Sequence, residues 1–366
     1  MTTTVRILAA LFMLAAAWLL THPPQADRSA APATGGRRVP TSLPADAMFH
    51  GMAIQLHGGD DTLPTYHRLV DEVADLGADS LLLVTHGWQT HAGTADLHVD
   101  PLRNPSLAGL QALCSHARQR GLRVVVMPVV LLSNPRGTEW RGQINPTVGW
   151  DEWFRRYTDF IVEHARVCEQ SGVTVLMIGS ELIKTEQFTD RWRSVIAAVR
   201  EVYSGKLAYS ANWDHYTTKH IGFWPYLDYV GMTSYYKLAE GPRPTLADVL
   251  NHWRPIKRRI AEFYREIRKP ILFTEAGWCS QEGAAEYAWN YYNYQHATPE
   301  GHQEQLTCYE GFLRTWADAG EIRGIFWWEW SAADGGPNDF NYTPKGKPAE
   351  KLMRDWFDGK WHPSSE

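Results

Sequence analysis

The sequence predicts an α/β fold, a single (β/α)8 TIM barrel. Three observations lead there. Short apolar, β-branched runs alternate with longer amphipathic stretches from Phe49 to the C-terminus; the runs number eight; and no repeat or charge block divides the series. Eight is the barrel count, whereas an open doubly wound sheet usually stops at about five to seven strands and often carries a Gly-rich phosphate turn after its first. Here the first run ends Gln55-Leu56-His57-Gly58-Gly59-Asp60, without such a turn.

In order, the expected strands are Phe49–Leu56, Ser80–Thr85, Val124–Val130, Val173–Gly179, Leu207–Ala211, Tyr229–Ser234, Ile271–Thr274 and Ile325–Trp328. Between them lie helical stretches such as Trp150–Gln170, Trp192–Val202, Leu246–Ile267 and Gln303–Ala319. Long loops are expected after the second and third strands, Gly87–Asn104 and Leu131–Gly149, at the end of a barrel where active sites lie.

A chain of 366 residues fits one such domain. Its 44% hydrophobic and 21% charged composition is ordinary for a globular protein, and a net charge of -5 gives no sign of a nucleic-acid surface. Seventeen Trp and sixteen Tyr are more than a core needs. Sugars stack their C–H faces on aromatic rings, so the excess fits a carbohydrate ligand, although an aromatic-rich core also accounts for it.

Arg6 precedes an apolar stretch, Ile7 to Leu20, of about 14 residues, the length of a secretory h-region and short for a spanning helix. Residues 1–22 are expected to be a signal peptide or an N-terminal membrane anchor, 23–47 a flexible linker rich in Pro, Ala, Gly and Ser, and 48–362 the barrel. Ala31-Pro32-Ala33 resembles a cleavage site but lies far from the apolar stretch, so cleavage and anchoring stay open. Export is expected in either case, and the protein is expected to act as a monomer. Cys114, Cys168, Cys279 and Cys308 have no CxxC spacing, which argues against a zinc knot or redox pair; whether they form disulfides is open.

Two strands deliver a carboxylate at their ends. The fourth runs Val173-Thr174-Val175-Leu176-Met177-Ile178-Gly179-Ser180-Glu181 and the seventh Pro270-Ile271-Leu272-Phe273-Thr274-Glu275. A lone Glu there can be a helix cap, but two of them facing one another across a barrel mouth meet the needs of glycoside hydrolysis. One acid protonates the departing oxygen, while the other carboxylate attacks the anomeric carbon or activates water.

The segments Trp140-Arg141-Gly142-Gln143-Ile144, Ile178-Gly179-Ser180-Glu181-Leu182, Trp192-Arg193, Ala211-Asn212-Trp213-Asp214, Phe273-Thr274-Glu275-Ala276-Gly277 and Phe326-Trp327-Trp328-Glu329-Trp330 together resemble glycoside hydrolases of clan A. Within that clan they are most similar to the family 113 β-mannanases. The resemblance implies a retaining enzyme of β-1,4-mannan or glucomannan, with Glu181 as acid/base and Glu275 as nucleophile. One departure is Ser180, since most of the clan has Asn immediately before the acid/base, where it holds the sugar 2-hydroxyl.

Around the pair, Tyr235 is expected to hydrogen-bond Glu275 and is favoured over Tyr236, because adjacent strand residues face opposite ways. Trp328 and Trp330 are expected to share a face and floor the sugar site, with core filling as the alternative for Trp327 or Trp328. Asn212 and Trp213 suit a hydroxyl-binding amide beside a stacking ring, while Asp214 reads as a possible helix cap. Arg141 is expected to reach substrate hydroxyls or, as a loop arginine, to pair with a surface carboxylate. Trp88 and Trp278 are further expected subsite residues. Glu186 is expected in the following helix or loop, and Glu329 on the face opposite Trp328 and Trp330. His86, His91 and His98 with Asp96 match no ligand spacing such as HExxH, so neither metal nor cofactor is expected. Hydrolysis of another β-glucan, action from chain ends, and polysaccharide binding without cleavage are the competing readings.

Overall fold

The structure, a computed structural model, describes residues 47–292 and 294–363. The expected signal or anchor segment and the linker up to residue 46 lie outside the described residues. Eight parallel strands, β1 (Phe49–Gln55), β2 (Ser80–Gln89), β3 (Arg123–Leu132), β4 (Val175–Ser180), β5 (Lys206–Ala211), β6 (Tyr229–Thr233), β7 (Ile271–Ala276) and β8 (Ile322–Trp327), close into a barrel in which β8 pairs with β1. Such strands are covered by helices outside and by side-chain layers inside, so they read as almost unbroken apolar runs. Every residue of β2 is buried.

Strands β2 and β3 outrun the expectation from hydropathy, pairing in register over Ser80–Gln89 and Arg123–Leu132. The polar residues His86 and Gln89 look like loop in the sequence. Their groups are satisfied internally instead: Gln89 donates from Nε2 to the His91 carbonyl (2.8 Å) and accepts from Trp153 Nε1 (2.9 Å). A strand can extend through polar residues once tertiary partners exist for them.

Helices α1 (Leu63–Asp75), α2 (Leu107–Gln119), α3 (Trp150–Ser171), α4 (Thr189–Arg200), α5 (Leu246–Ile267), α6 (Pro299–Trp316) and α7 (Pro348–Phe357) surround the barrel. Their ends carry ordinary signals. Thr245 and Asp248 form a capping box on α5, Thr298 caps α6 ahead of Pro299, and Gly172 closes α3 with φ of 61°.

Among the described residues no α-helix connects β5 to β6, where a helix is expected of each barrel repeat; residues 212–228 hold a single 3-10 turn, Trp224–Tyr226. Aromatic packing covers the strands there. Phe223 stacks on Trp192 of α4 with centroids 5.0 Å apart and meets Tyr209 of β5 edge-on at 5.3 Å, while Trp224 Nε1 donates to the Tyr216 carbonyl (2.8 Å). Asp214 therefore caps no helix and is exposed. The four cysteines are buried free thiols.

Candidate active site

The two glutamates reach the barrel mouth by different routes. Glu275 lies inside β7, and Glu181 is the first residue past β4. The β4–β5 register shifts between Met177 and Ser180, and Glu181 adopts φ of 50°, in the left-handed region, while its N–H still donates to the Ser210 carbonyl at 2.8 Å. Register slip and a left-handed residue re-aim the side chain, at a cost of about 1–2 kcal/mol that the surrounding ladder must hold in place. Gly277 follows β7 because the Trp328 carbonyl oxygen would lie 2.1 Å from a Cβ there, so only glycine permits this close approach of the β7 and β8 ends.

Each carboxylate has its own polar partner. Arg141, buried on the 3-10 turn Arg141–Gln143, pairs through a terminal guanidinium nitrogen with Glu181 Oε2 and through Nε with the Ser180 carbonyl (3.2 Å). Thr233, the last residue of β6, donates to Glu181 Oε1 at 3.4 Å. Across the mouth the Tyr235 hydroxyl donates to Glu275 Oε2 at 2.8 Å.

Burial raises the pKa of both glutamates. In Glu275 burial is reinforced by the charge of Glu181, and together they push it up to about 8 against the opposing pull of Arg141 and Tyr235. Glu181 is raised by burial and, to a lesser extent, by Asp214, and is held down by Arg141 and Thr233. The charge of Glu181 opposes ionisation of Glu275, so the second proton leaves the pair less readily than the first. One acid and one base is the state that acid–base chemistry at a glycosidic bond requires.

A narrow cavity beside them is lined by Gln55, His86, Leu131, Arg141, Glu275 and Trp328. Gln55, the last residue of β1, donates from Nε2 to Glu329 Oε2 at 2.8 Å. Burial lifts the Glu329 carboxyl to about 7, and its charge is felt at Glu275. His86 donates from Nδ1 to the Leu56 carbonyl (3.0 Å) and stacks on His57 at 5.0 Å.

Tyr235 rather than Tyr236 faces the catalytic carboxylates; Tyr236 is buried against Trp253 and donates to the Trp213 carbonyl at 2.8 Å. Asn212 and Trp213 stand half-buried beyond β5, the Asn212 Oδ1 and the Ser180 Oγ each lacking a hydrogen-bond partner. Trp213 meets Tyr236 edge-on at 5.1 Å.

Three tryptophans are not where the sequence suggests. Trp278 is fully buried between Trp253, Tyr309 and Phe312, in the layer between barrel and helices, because the chain turns inward after Gly277. Trp330 donates from Nε1 to Glu72 of α1 (2.9 Å) beneath Lys345 and does not share a face with Trp328. Strand β8 ends at Trp327, so strand alternation does not extend across Trp328–Trp330. Trp88 lies within β2 at 5% exposure, with the Arg103 guanidinium 4.9 Å from its ring centroid. The face that a sugar would need is covered.

The histidine-rich loop is knitted to itself. Asp96 accepts from Thr90, His91 Nδ1 accepts the Gly93 N–H (3.0 Å) and His98 Nδ1 donates to the Asp96 carbonyl (2.8 Å). Among the described residues no group of three or more His, Cys, Asp or Glu side chains is placed to hold a metal ion.

Gln55 and Thr233 belong to the mouth and escape the sequence reading, and Glu329, named there, joins them. Gln55 and Thr233 carry the same signal that marks the glutamates, a polar residue ending an apolar barrel strand. Glu186 is buried, accepting from Tyr209 (2.7 Å) and from His215 Nδ1 (2.6 Å).

A solved GH113 β-mannanase, AaManA from Alicyclobacillus acidocaldarius, matches with a TM-score of 0.75 and 24% identity, over 86% of this chain and 98% of that one. A solved GH113 β-1,4-mannanase gives a TM-score of 0.73 at 24% identity, over 85% and 99%. A β-D-glucuronidase from Dictyoglomus thermophilum shares the fold at a TM-score of 0.57 and 14% identity, over 85% of this chain and 50% of that one. Comparison with curated protein sequences finds no match. The sequence model of Glycoside Hydrolase Family 113 matches residues 59–347. With most of the barrel inside that match and two carboxylates at its mouth, the chain belongs to glycoside hydrolase family 113.

Proposed function

We propose that this glycoside hydrolase is a retaining endo-β-1,4-mannanase acting on mannan or glucomannan, with Glu275 as nucleophile and Glu181 as acid/base. The observation that carries the reading is the pairing of the two glutamates in one electrostatic field, each with a separate polar partner, Tyr235 or Arg141. The substrate comes from the resemblance to the family's β-mannanases.

In the first displacement the Glu275 carboxylate attacks the anomeric carbon. The bond to the leaving oxygen breaks, and Glu181 gives that oxygen its proton. In the second, Glu181 takes a proton from water, the resulting hydroxide attacks the same carbon, and the Glu275 carboxylate leaves. Two inversions return the β configuration. Tyr235 steadies the ionised nucleophile. Arg141 favours ionised Glu181 and so suits the second step, whereas the first requires the proton on Glu181.

The test is Glu275→Ala. Hydrolysis of mannan is expected to vanish with the fold intact, and azide with an activated aryl β-mannoside is expected to restore turnover and release the α-mannosyl azide. Full residual activity would remove the mechanism. We further propose export, on the strength of the apolar stretch Ile7–Leu20. Fractionation of cells expressing the full chain checks it, and retention in the cytosol would overturn it.

A further inference from the structure

We propose that the described residues of the β7–α6 loop, 277–292 and 294–298, form a sugar-stacking shelf that continues the substrate site from Glu275 and takes additional pyranose units of a neutral β-linked polysaccharide. The proposal rests on the glycanase reading above and specifies how such an enzyme holds a long chain.

An unbroken series of rings leads out from the nucleophile. The Tyr235 hydroxyl is bonded to Glu275; the Tyr235 ring lies 6.4 Å from Tyr342, Tyr342 lies 6.4 Å from Tyr291, and Tyr291 lies 5.3 Å from Tyr292, nearly perpendicular at 88°. Tyr342 is buried and bridges the series, while Tyr291 and Tyr292 are half-buried. Tyr291 also packs against the hydrophobic core, which accounts for part of the loop's aromatic content but not for its exposed rings. Of the five large hydrophobic side chains exposed among the described residues, Tyr287 at 41% and Tyr294 at 44% belong to it.

The loop is also built to hold its shape. Gln281, buried, donates to the Asn290 carbonyl (2.8 Å) and accepts from the Gln295 N–H (2.7 Å). Glu304 of α6 accepts the N–H groups of Ala285 (2.8 Å) and Gly283 (3.1 Å), and the Tyr342 hydroxyl donates to the Ala288 carbonyl (2.7 Å). Rings fixed in advance bind at a lower entropic cost than rings on a loose segment. The loop's acidic side chains are matched, Glu282 with Arg243 (2.6 Å) and Glu286 with Lys237 (3.2 Å). What remains presented is the aromatic surface of Tyr287 and Tyr294 beside Gln295 and His296, with no unmatched carboxylate among the described residues of the loop, and that suits a neutral glycan.

The shelf predicts dependence on chain length. In the full chain, the ratio of kcat/KM on β-1,4-mannohexaose to that on β-1,4-mannotriose is expected to fall about tenfold in Tyr291→Ala, Tyr291→Leu and Tyr292→Ala, the loss of one stacking contact. Tyr291→Phe, which keeps the ring, is expected to retain the ratio. Titration of mannohexaose into Glu275→Gln, with and without Tyr291→Ala, reads binding apart from cleavage and is expected to show the same tenfold loss. An unchanged ratio and unchanged hexaose affinity in the Tyr variants would overturn the shelf and leave the mannanase reading standing. Tyr291-dependent binding in a wild-type chain that cleaves no mannan would overturn the mannanase reading and retain the shelf.

Discussion

The Tyr235 hydroxyl donates to Glu275 Oε2 over 2.8 Å, tying the residue two beyond the end of β6 to a carboxylate inside β7. The contact favours the ionised nucleophile against burial, which raises it, and removing it must raise Glu275 further. Tyr235→Phe is expected to move the acidic limb of the kcat/KM profile upward by about one pH unit and to lower the maximum by about tenfold or more. A pH–rate profile checks this. An acidic limb that stays in place would show that the phenol does not act on the ionisation.

Arg141 lowers the pKa of Glu181, the group whose proton the first step consumes. Replacing its charge by Arg141→Gln is expected to raise Glu181, so the basic limb, where that proton is lost, shifts upward by about 1–3 pH units. Arg141 also opposes protonation of Glu275, and the acidic limb is expected to follow in the same direction. A raised KM with an unmoved profile would mean that the guanidinium serves only as a sugar contact.

Trp278 and Trp328 separate packing from binding. Trp278→Ala empties a fully buried site and is expected to cost about 3–5 kcal/mol, read as a lower Tm or denaturant midpoint, with KM unchanged well below the melting transition. Trp328 lines the cavity beside Glu275, and Trp328→Ala is expected to lower kcat/KM on mannan by about tenfold or more. Equal kinetic losses in the two variants would contradict this division.

Glu329 gives a stability test with a definite sign. Its carboxyl is raised from an unfolded value of 4.5 to about 7, so the stability gained from its protonated form is complete below about pH 4.5 and is lost as pH rises through 7. Glu329→Gln keeps an acceptor for Gln55 and cannot ionise. It is expected to be more stable than the wild type by about 3 kcal/mol at pH 8 and close to it at pH 4. Denaturant titrations at the two pH values decide it, and an equal difference at both would show that ionisation of Glu329 is not the cause.

The order of eight strands, the approximate spans of the long helices and the delivery of Glu181 and Glu275 to strand ends were legible in the sequence. Each depends on local hydropathy period and on the direction of chain through a parallel barrel, which neighbouring residues set. The extension of β2 through His86 to Gln89, the helix-free β5–β6 connection and the left-handed turn at Glu181 were not. They follow from partners distant in sequence: β3 and Trp153 for Gln89, the packing of Phe223 on Trp192, and Ser210 for the Glu181 N–H. Which tryptophan borders the cavity was decided in the same way, since Trp278 and Trp330 are claimed by α6 and α1 and Trp328 is left beside Glu275. The sequence by itself determined which residue types arrive at the mouth. The closed barrel decided which of them meet, because burial and pairing across it are contacts between elements that no local pattern encodes.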